Sequence, residues 1–508
     1  MPRQPGPSAG ASRRSRPSAR FSIPSVPPSL WVALVLTTVL VALSGRYGPH
    51  RDELYFVQAG ENLAWAYPDQ GVLTPLVARA MGEIAPSSLV ALRLPAALAV
   101  GAIVLLAGLL ARELGGGRRA ELIAAACTAT GVIFLQAGHT LGTTTFDLLV
   151  WTAVTWLAVR ALRTGRDRLW LVAGLVLGVG LLNKPLPAFL AAGLLAGVAI
   201  AGPRHLLRSR WVWAGAGAAV VLWLPWLIWQ ADHGWPQLEV SAAIAGGGST
   251  SSQPRWALLP FQALLVGPVL APVWIAGLVR LLGDPELRAY RFLGWTWVVL
   301  AVLFMATGGK PYYLAGMLAL LLAAGAVTVD RWLDRGRART RRLALAGAVA
   351  ASAGICGAIG LPLLAVDRLG PVIAANPDVG ETVGWPALAD TVAGVRDRLA
   401  EGERAVLFTR NYGQAGALDR YGPDLGLPPA FSGHNGYADW GVPPASRGPV
   451  IVVGFRRRAD LDRDFAGCTV RARIDTGIDN EEEGTPVWSC TEPREPWAEL
   501  WPRLRRYG

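Results

Sequence analysis

A chain of 508 residues that is 52% hydrophobic and only 17% charged, with a mean hydropathy of +0.35, lies outside the soluble globular range and inside that of polytopic membrane proteins. Its net charge of +12 comes from arginines dispersed over short connections rather than gathered on one face with aromatics, which excludes a nucleic-acid-binding role. No phosphate-cradling glycine loop, nucleophile elbow or Cys-x-x-Cys pair is present, so ATP-driven transport has no support.

Residues 1–28, rich in Pro, Ser and Arg, read as a disordered cytoplasmic tail. The competing reading is a signal peptide with Ala42-Leu43-Ser44 as a weak cleavage pattern, but cleavage would remove the first apolar span and spoil the alternation of connections. A membrane-crossing helix needs about 20 residues, and apolar segments near 29–45, 87–111, 120–138, 144–162, 169–183, 184–201, 211–230, 257–279, 292–309, 311–329 and 343–366 give about eleven spans. Asn183-Lys184-Pro185 leaves 169–201 open between two short helices and one long broken one. Arginines fill alternate connections: the tail, Arg112 to Arg119, Arg160 to Arg168, Arg204 to Arg210, Arg280 to Arg291 and Arg331 to Arg342. By the positive-inside rule these are cytoplasmic. The connections bearing Asp52, His139, Lys184, His233 and Lys310 then face outward, with everything after the last span. The expected location is the cell membrane, multi-pass, with a cytoplasmic N-terminus.

The expected fold class is a polytopic α-helical membrane protein with a small C-terminal extracytoplasmic α/β domain. Residues 29–366 form the membrane domain. Its outward loop 46–86 has a helical pattern and aromatics (Tyr55, Phe56, Trp65, Tyr67) suited to helices lying in the headgroup region. A second outward loop, 231–256, carries Asp232-His233-Gly234-Trp235-Pro236 and then Gly246-Gly247-Gly248-Ser249, a run flexible enough to move over a site. Residues 367–508, dense in Asp, Glu, Pro and Gly, form the outer domain, with a helix expected at 386–400 and strands at 404–409, 449–454 and 469–474. Of four cysteines, Cys127 and Cys356 sit in spans as packing, whereas oxidation can pair Cys468 with Cys490 outside. No internal repeat points to an inverted-repeat transporter.

Arg51-Asp52-Glu53-Leu54-Tyr55 places an acidic pair just past the first span, where carboxylates are costly unless they face water, a cation or a substrate. Asp52 and Glu53 equally suit a helix N-terminus, as caps. The chain holds only two lysines against 46 arginines, and both precede a proline at the outer end of a span: Lys184 and Lys310. A compact ammonium is a natural partner for phosphate; the bland alternative is snorkelling to the interface. Asp147 follows Thr143-Thr144-Thr145, and its spacing from Thr144 fits a capping box as well as a catalytic role. His139 and His233, both outward, could help bind a divalent metal, but no His-x-x-x-His spacing supports one.

These pieces, in this order, resemble the GT-C class of membrane glycosyltransferases. Within it the chain is similar to the protein mannosyltransferase and lipid A aminoarabinose transferase-like family, particularly its bacterial, actinobacterial-type branch. The matching segments are Asp52-Glu53-Leu54-Tyr55-Phe56, Asp69-Gln70 with Thr74-Pro75-Leu76, Phe146-Asp147-Leu148-Leu149 with Trp151, Leu182-Asn183-Lys184 with Phe189, and Lys310-Pro311-Tyr312-Tyr313-Leu314. In the outer region they are Asn411-Tyr412-Gly413-Gln414-Ala415-Gly416-Ala417 and Ser432-Gly433-His434-Asn435. The resemblance implies an inverting transfer of a sugar, mannose by the family's example, from a polyprenyl-phosphate donor to an extracytoplasmic glycan, lipid, protein or metabolite. It implies Asp52 as general base, with Glu53 orienting the acceptor or Asp52. Lys184, Lys310 and Arg51 would stabilise the lipid phosphate. Tyr55, Asp69, Gln70, Asp147, His139, His233, Tyr312 and Tyr313 would line the substrate site.

Aminoarabinose transferases carry Glu-Lys-Pro-Pro late in the first outward loop where this chain has Asp69-Gln70-Gly71-Val72, so the expected phosphate-binding lysine is missing there. The large lumenal insert of the protein O-mannosyltransferases is missing too. A transporter, a lipid flippase or a noncatalytic family member are the rival classes. The scarcity of ionisable residues at mid-span weighs against the transporting ones.

Overall fold

A computed structural model describes residues 26–248, 252–400, 404–445 and 448–507. Most of the expected disordered tail, and Ser249 of the glycine run, lie outside the described residues. In chain order the first helices are α1 (Pro28–Leu43), α2 (Arg51–Glu61) and α3 (Leu73–Ile84). They are followed by α4 (Leu89–Glu113), α5 (Arg118–Ala129), α6 (Val132–His139), α7 (Thr143–Thr164), α8 (Leu169–Leu181) and α9 (Leu186–Ala201). Next come α10 (Arg210–Asp232), α11 (Pro236–Ala245), α12 (Leu258–Val266), α13 (Ala271–Gly283), α14 (Arg291–Thr307), α15 (Leu318–Leu333) and α16 (Ala338–Gly360).

Every apolar segment read from the sequence falls on one of these helices, but not every one is a straight span. Six stretches are long and apolar enough to cross a membrane: 89–113, 143–164, 210–232, 285–307, 311–333 and 338–360. Segment 120–138 is the bent pair α5 and α6, and 257–279 lies within a second bent pair, with angles of 63° and 95°. The second bend sits at Gly267-Pro268, where Gly267 has φ +87° and the proline cannot continue a helix. Asn183-Lys184-Pro185 separates α8 from α9, so that stretch is two short helices; α1, α8 and α9 all fall short of a full span. By length and composition the described residues thus supply six spans, or up to eight with the bent pairs, and the eleven expected segments are reached only with the three shorter apolar helices. Close crossings are made with glycine: a Cβ on Gly277 of α13 would lie 1.9 Å from the Leu321 carbonyl of α15, and one on Gly174 of α8 would lie 2.2 Å from the Gly215 carbonyl of α10.

Beyond α16 lie α17 (Gly370–Ala375), α18 (Trp385–Asp397) and α19 (Tyr412–Tyr421), with α20 (Trp497–Leu504) closing the chain. A five-stranded sheet runs β2-β1-β3-β6-β5, built from β1 (Val406–Thr409), β2 (Ala430–Ser432), β3 (Val450–Val453), β5 (Thr469–Arg473) and β6 (Pro486–Cys490). The first three strands are parallel, and β6 and β5 add on antiparallel. A two-stranded ribbon joins β4 (Phe465–Ala466) to β7 (Glu492–Pro493). Cys468 and Cys490 form a disulfide. One sheet face packs under α20 through Phe408, Val452, Trp497 and Trp501. The other packs on α18 and α19, and the same core continues into Leu54, Tyr55 and Phe56 of α2. Tyr55, Phe56 and Tyr67 are therefore buried by the outer layer rather than lying in headgroups; Trp65 remains exposed.

The start of α2 is fixed by a buried ion pair. Glu53 and Arg93 of α4 both have fully buried side chains, and the guanidinium grips the carboxylate at 2.9 and 2.7 Å. Arg93 also donates to the carbonyls of Ser44 and Gly48, while Glu53 accepts from the backbone of His50 and Leu141. Removing one partner strands the other charge in the core, at a cost of about 3–5 kcal/mol. Arg93→Ala should therefore lower the thermal unfolding midpoint in detergent sharply. Arg93→Met combined with Glu53→Leu should recover part of that loss, and a double variant no better than Arg93→Ala would refute the pairing.

Candidate functional site

α2 begins at a capping box: the Asp52 backbone N–H donates to His50 Nδ1 at 3.2 Å and Glu53 accepts from the His50 N–H at 2.8 Å. The two acidic residues thereby take different roles. Glu53 is sealed in the Arg93 pair, which corrects the expectation that it meets an acceptor. Asp52 stays open, its side chain 41% exposed, and accepts a hydrogen bond from the Tyr412 hydroxyl at 2.8 Å. Burial raises the Asp52 carboxyl, but the positive charges of His50 and Arg51, the Tyr412 bond and Lys310 together hold it below the usual carboxylate range.

Tyr412 reaches Asp52 because α19 lies directly on α2. A Cβ on Gly413 would come within 2.7 Å of the Arg51 Cβ, and one on Gly416 within 2.8 Å of the Leu54 Cβ. The Asn411-Tyr412-Gly413-Gln414 motif reads locally as a capping box from Asn411 to Gln414, with Gln414 also held by the buried Glu482. Tyr412 stacks on Tyr55 at 4.7 Å, and Tyr55 stacks in turn on Trp440 at 5.6 Å. The Tyr55 hydroxyl donates to Asp69 at 2.9 Å and accepts from the Gly436 N–H. Burial pushes the Asp69 carboxyl up to about 6 despite the Tyr55 bond and Lys184.

Both lysines arrive at this face. Gly71 and Leu73 donate their N–H groups to the carbonyls of Asn183 and Leu182, and the Thr74 hydroxyl donates to the Asn183 side chain. That pairing sets Lys184 beside the loop holding Asp69 and Gln70, with Nζ over the Tyr313 ring at 5.9 Å. Lys310 lies over the Tyr312 ring at 6.0 Å, within electrostatic reach of Asp52. Among the described residues neither lysine has a carboxylate within ion-pair distance. Burial, reinforced by Lys184, lowers the Lys310 ammonium to about 8 against the pull of Asp52. Asp147 is buried with neither carboxylate oxygen hydrogen-bonded, and with Thr144, Tyr312 and Tyr313 it lines a cavity of about 10 Å³, room for one water. The buried Gln70 amide likewise has no partner for either polar atom. Buried polar groups without partners are uncommon, and a bound water or ligand would satisfy these.

Three further expectations change. Arg51 is held by Glu381 at 3.0 Å and Glu481 at 3.2 Å, so its charge is already matched and it props α2 rather than offering a phosphate partner. His139 is buried beside Arg93, its Nε2 3.4 Å from the guanidinium, and belongs to that network instead of the substrate face. His233 is exposed and stacked on Trp229 at 3.9 Å, in different surroundings from His139. Among the described residues no three His, Cys, Asp or Glu side chains converge as a metal site. Sequence reasoning missed Tyr412, His50, Arg93 and Glu381. Of these, only Arg93 left a plain signal, as an arginine inside an otherwise apolar helix.

Residues 69–229 match the family described as dolichyl-phosphate-mannose-protein mannosyltransferase. Two undecaprenyl phosphate-alpha-4-amino-4-deoxy-L-arabinose arabinosyl transferases of Pseudomonas fluorescens strains are similar as well. One is 30% identical over 309 residues, covering 57% of this chain and 54% of the relative; the other is 31% identical over 278 residues, covering 50% and 47%. Over these residues the chain is similar to the mannosyltransferase and aminoarabinose transferase-like family. It spans about half the length of those curated relatives. By fold it is similar to ArnT from Cupriavidus metallidurans bound to undecaprenyl phosphate, with a TM-score of 0.59, 15% identity and coverage of 91% of this chain and 97% of that one. The likeness shows a shared fold. Its apolar helices, with this likeness, support a multi-pass membrane protein.

His50 gives a pH test of the site's scaffold. Its Nε2 meets Glu381 at 3.1 Å; burial opposes its charge, but Glu381 and Asp52 raise it from 6.5 to about 9. The folded value lies above the unfolded one, so the stabilisation is complete below about 6.5 and is lost as pH rises through about 9. Thermal unfolding of wild type should fall over that window relative to His50→Asn; parallel curves for the two proteins would refute the pairing.

Proposed function

We propose that this chain is an inverting glycosyltransferase that moves a sugar from a polyprenyl-phosphate donor to an acceptor hydroxyl at the outer membrane surface, with Asp52 as general base. The observation that carries it is a half-exposed carboxylate held ionised, Asp52, within electrostatic reach of Lys310, which in turn lies within reach of Lys184; among the described residues neither lysine has a carboxylate partner. In the step proposed, Asp52 takes the acceptor hydroxyl proton as that oxygen attacks the anomeric carbon. The bond from that carbon to the phosphate oxygen breaks, its electron pair leaves with the lipid phosphate, and the configuration inverts. Lys184 and Lys310 meet the growing negative charge on the leaving phosphate. Lys184, paired through Asn183 to the loop that follows Asp69, supplies in space the cation that this loop lacks in sequence. Asp147, Gln70, Asp69 and the Tyr312-Tyr313 pair face the sugar.

Polyprenyl-phosphate dependence is supported by the arabinosyl transferase relatives and by the lipid named in the structural neighbour. The donor sugar is a hexose or pentose. Mannose rests on the family description, and an arabinose-type pentose on the curated relatives. A cytoplasmic N-terminus and an outward-facing 367–508 domain follow from the arginine distribution and place the Asp52 face outside.

The deciding experiment offers purified protein in liposomes a panel of labelled polyprenyl-phosphate sugars and a cell-envelope extract. Wild type should transfer label, and Asp52→Asn should lose transfer by about 10²-fold or more while still binding donor. Full activity in Asp52→Asn would remove it as the base, and no transfer from any donor would remove the reading altogether. Tyr412→Phe should lower kcat and move the acidic limb of the rate profile to higher pH, because Asp52 loses a bond that favours its charge. Donor affinity should weaken as pH rises through about 8, where Lys310 loses its proton, and Lys310→Arg should flatten that dependence. A profile unchanged by Lys310→Arg would exclude Lys310 as the phosphate partner.

A further inference from the structure

We propose that the cleft between the C-terminal end of α2 and the outer sheet is a subsite for a neutral, hydroxyl-rich glycan segment of the acceptor, an inference that rests on the glycosyltransferase reading above. The cleft has a volume of about 390 Å³, within the range of small-molecule sites. Gln58, Glu61 and Asn62 of the α2 end line one side of it, and Asp419, Phe431 and Trp440 of the outer layer line the other.

Its chemistry selects a class of ligand. No lysine or arginine lines it, and two carboxylates do, so a phosphate or uronate would find repulsion and no partner. The α2 side offers amides and a carboxylate that suit sugar hydroxyls; among the described residues, the side chains of Gln58 and Glu61 make no hydrogen bond or ion pair. Opposite them, Asp419 is spent on the wall itself, accepting from the Ala430 N–H at 2.9 Å and the Tyr437 hydroxyl at 2.8 Å. Phe431 and Trp440 contribute aromatic faces against which the C–H face of a sugar ring packs. A mixed lining of flat apolar faces and uncharged or anionic hydrogen-bonding groups fits a neutral saccharide better than a lipid chain or an anion.

Its position fits an acceptor. Trp440 lines the cleft and also stacks on Tyr55, which stacks on Tyr412, whose hydroxyl holds Asp52. Three stacked rings thus run from the cleft wall to the base. Glu61 lies nine residues after Asp52, about 13 Å along the helix and about two and a half turns on, so a glycan that joins the base to the cleft passes around α2. The cations Lys184 and Lys310 serve the donor phosphate, and the cation-free cleft serves the uncharged part of the acceptor.

Saturation-transfer NMR on full-length Asp52→Asn protein in detergent tests this with mannobiose as neutral probe and galacturonobiose as anionic probe of equal length. Mannobiose should receive saturation from the protein, and galacturonobiose should not. Adding Asn62→Trp, at an exposed helix end, should fill the cleft and abolish the mannobiose signal; adding Glu61→Lys should admit galacturonobiose. No mannobiose signal, a signal unchanged by Asn62→Trp, or equal binding of both probes would overturn the proposal. In the active protein, Asn62→Trp should raise the acceptor KM about tenfold, some 1.4 kcal/mol, with kcat little changed. An unchanged KM overturns the cleft while transfer itself stands. Loss of transfer from every donor with mannobiose binding retained overturns the transferase reading and leaves the cleft as a glycan site.

Discussion

The arrangement around Asp52 depends on the Glu53–Arg93 pair. Two buried charges are costly to desolvate, and here the cost is offset because hydrogen bonds meet the carboxylate from Arg93, His50 and Leu141 and carry the guanidinium on to two backbone carbonyls. The pair joins the end of α1, the loop before α2, α2 itself, α4 and the turn between α6 and α7. It also decides what Asp52 does. Successive helix residues point about 100° apart, so drawing Glu53 into the core turns its neighbour away from it. The acidic pair that looks redundant in sequence divides into an open carboxylate, Asp52, and a fastener, Glu53.

A second constraint comes from 360 residues away in the chain. The Tyr412 hydroxyl arrives on Asp52 only because glycines 413 and 416 let α19 sit against α2. Tyr55, Tyr412, Tyr437 and Trp440 form a continuous aromatic layer beneath that contact. Hydrophobic burial holds the outer layer down, and hydrogen bonds at the rim of the rings aim carboxylates: Tyr412 at Asp52, Tyr55 at Asp69. The outer layer is thus part of the site, because without it Asp52 would lose a bond that favours its ionised form.

Most of the helical frame was legible in the sequence, since an apolar run at membrane length has few alternatives to a helix. Its breaks were harder to see: Asn183-Lys184-Pro185 was visible as an interruption, but the bends at Thr130-Gly131 and Gly267-Pro268 lay inside runs whose hydropathy never falls far enough to mark them. In the outer region β1, β3, β5 and α18 stood out by β-branched or amphipathic patterning. The three-residue β2 and Pro-initiated β6 carry too little pattern to be seen alone and exist because their neighbours pair with them. At the site, Asp52, Lys184 and Lys310 were legible because each is an exception, a carboxylate or a lysine where the chain otherwise avoids them. Arg51 and His139 misled because a charge or an imidazole near the right surface says nothing about which partner already holds it. Tyr412 was quoted as part of a motif, but its target is a matter of tertiary packing that no local signal encodes.

The two lysines show how position in space replaces position in sequence. The loop after Asp69 runs Gln70-Gly71-Val72 and offers no cation of its own. Gly71 is so close to the Leu182 carbonyl that an added Cβ would lie 2.1 Å from it. That approach locks the loop to the segment between α8 and α9 and so brings Lys184 beside it. Lysine suits the arrangement where arginine would not. Arg51, with a fork of donors, is already committed to two carboxylates, whereas an ammonium over a tyrosine face keeps its charge available to a transient anion. The chain places its only two lysines over tyrosine rings, where among the described residues no carboxylate pairs with them.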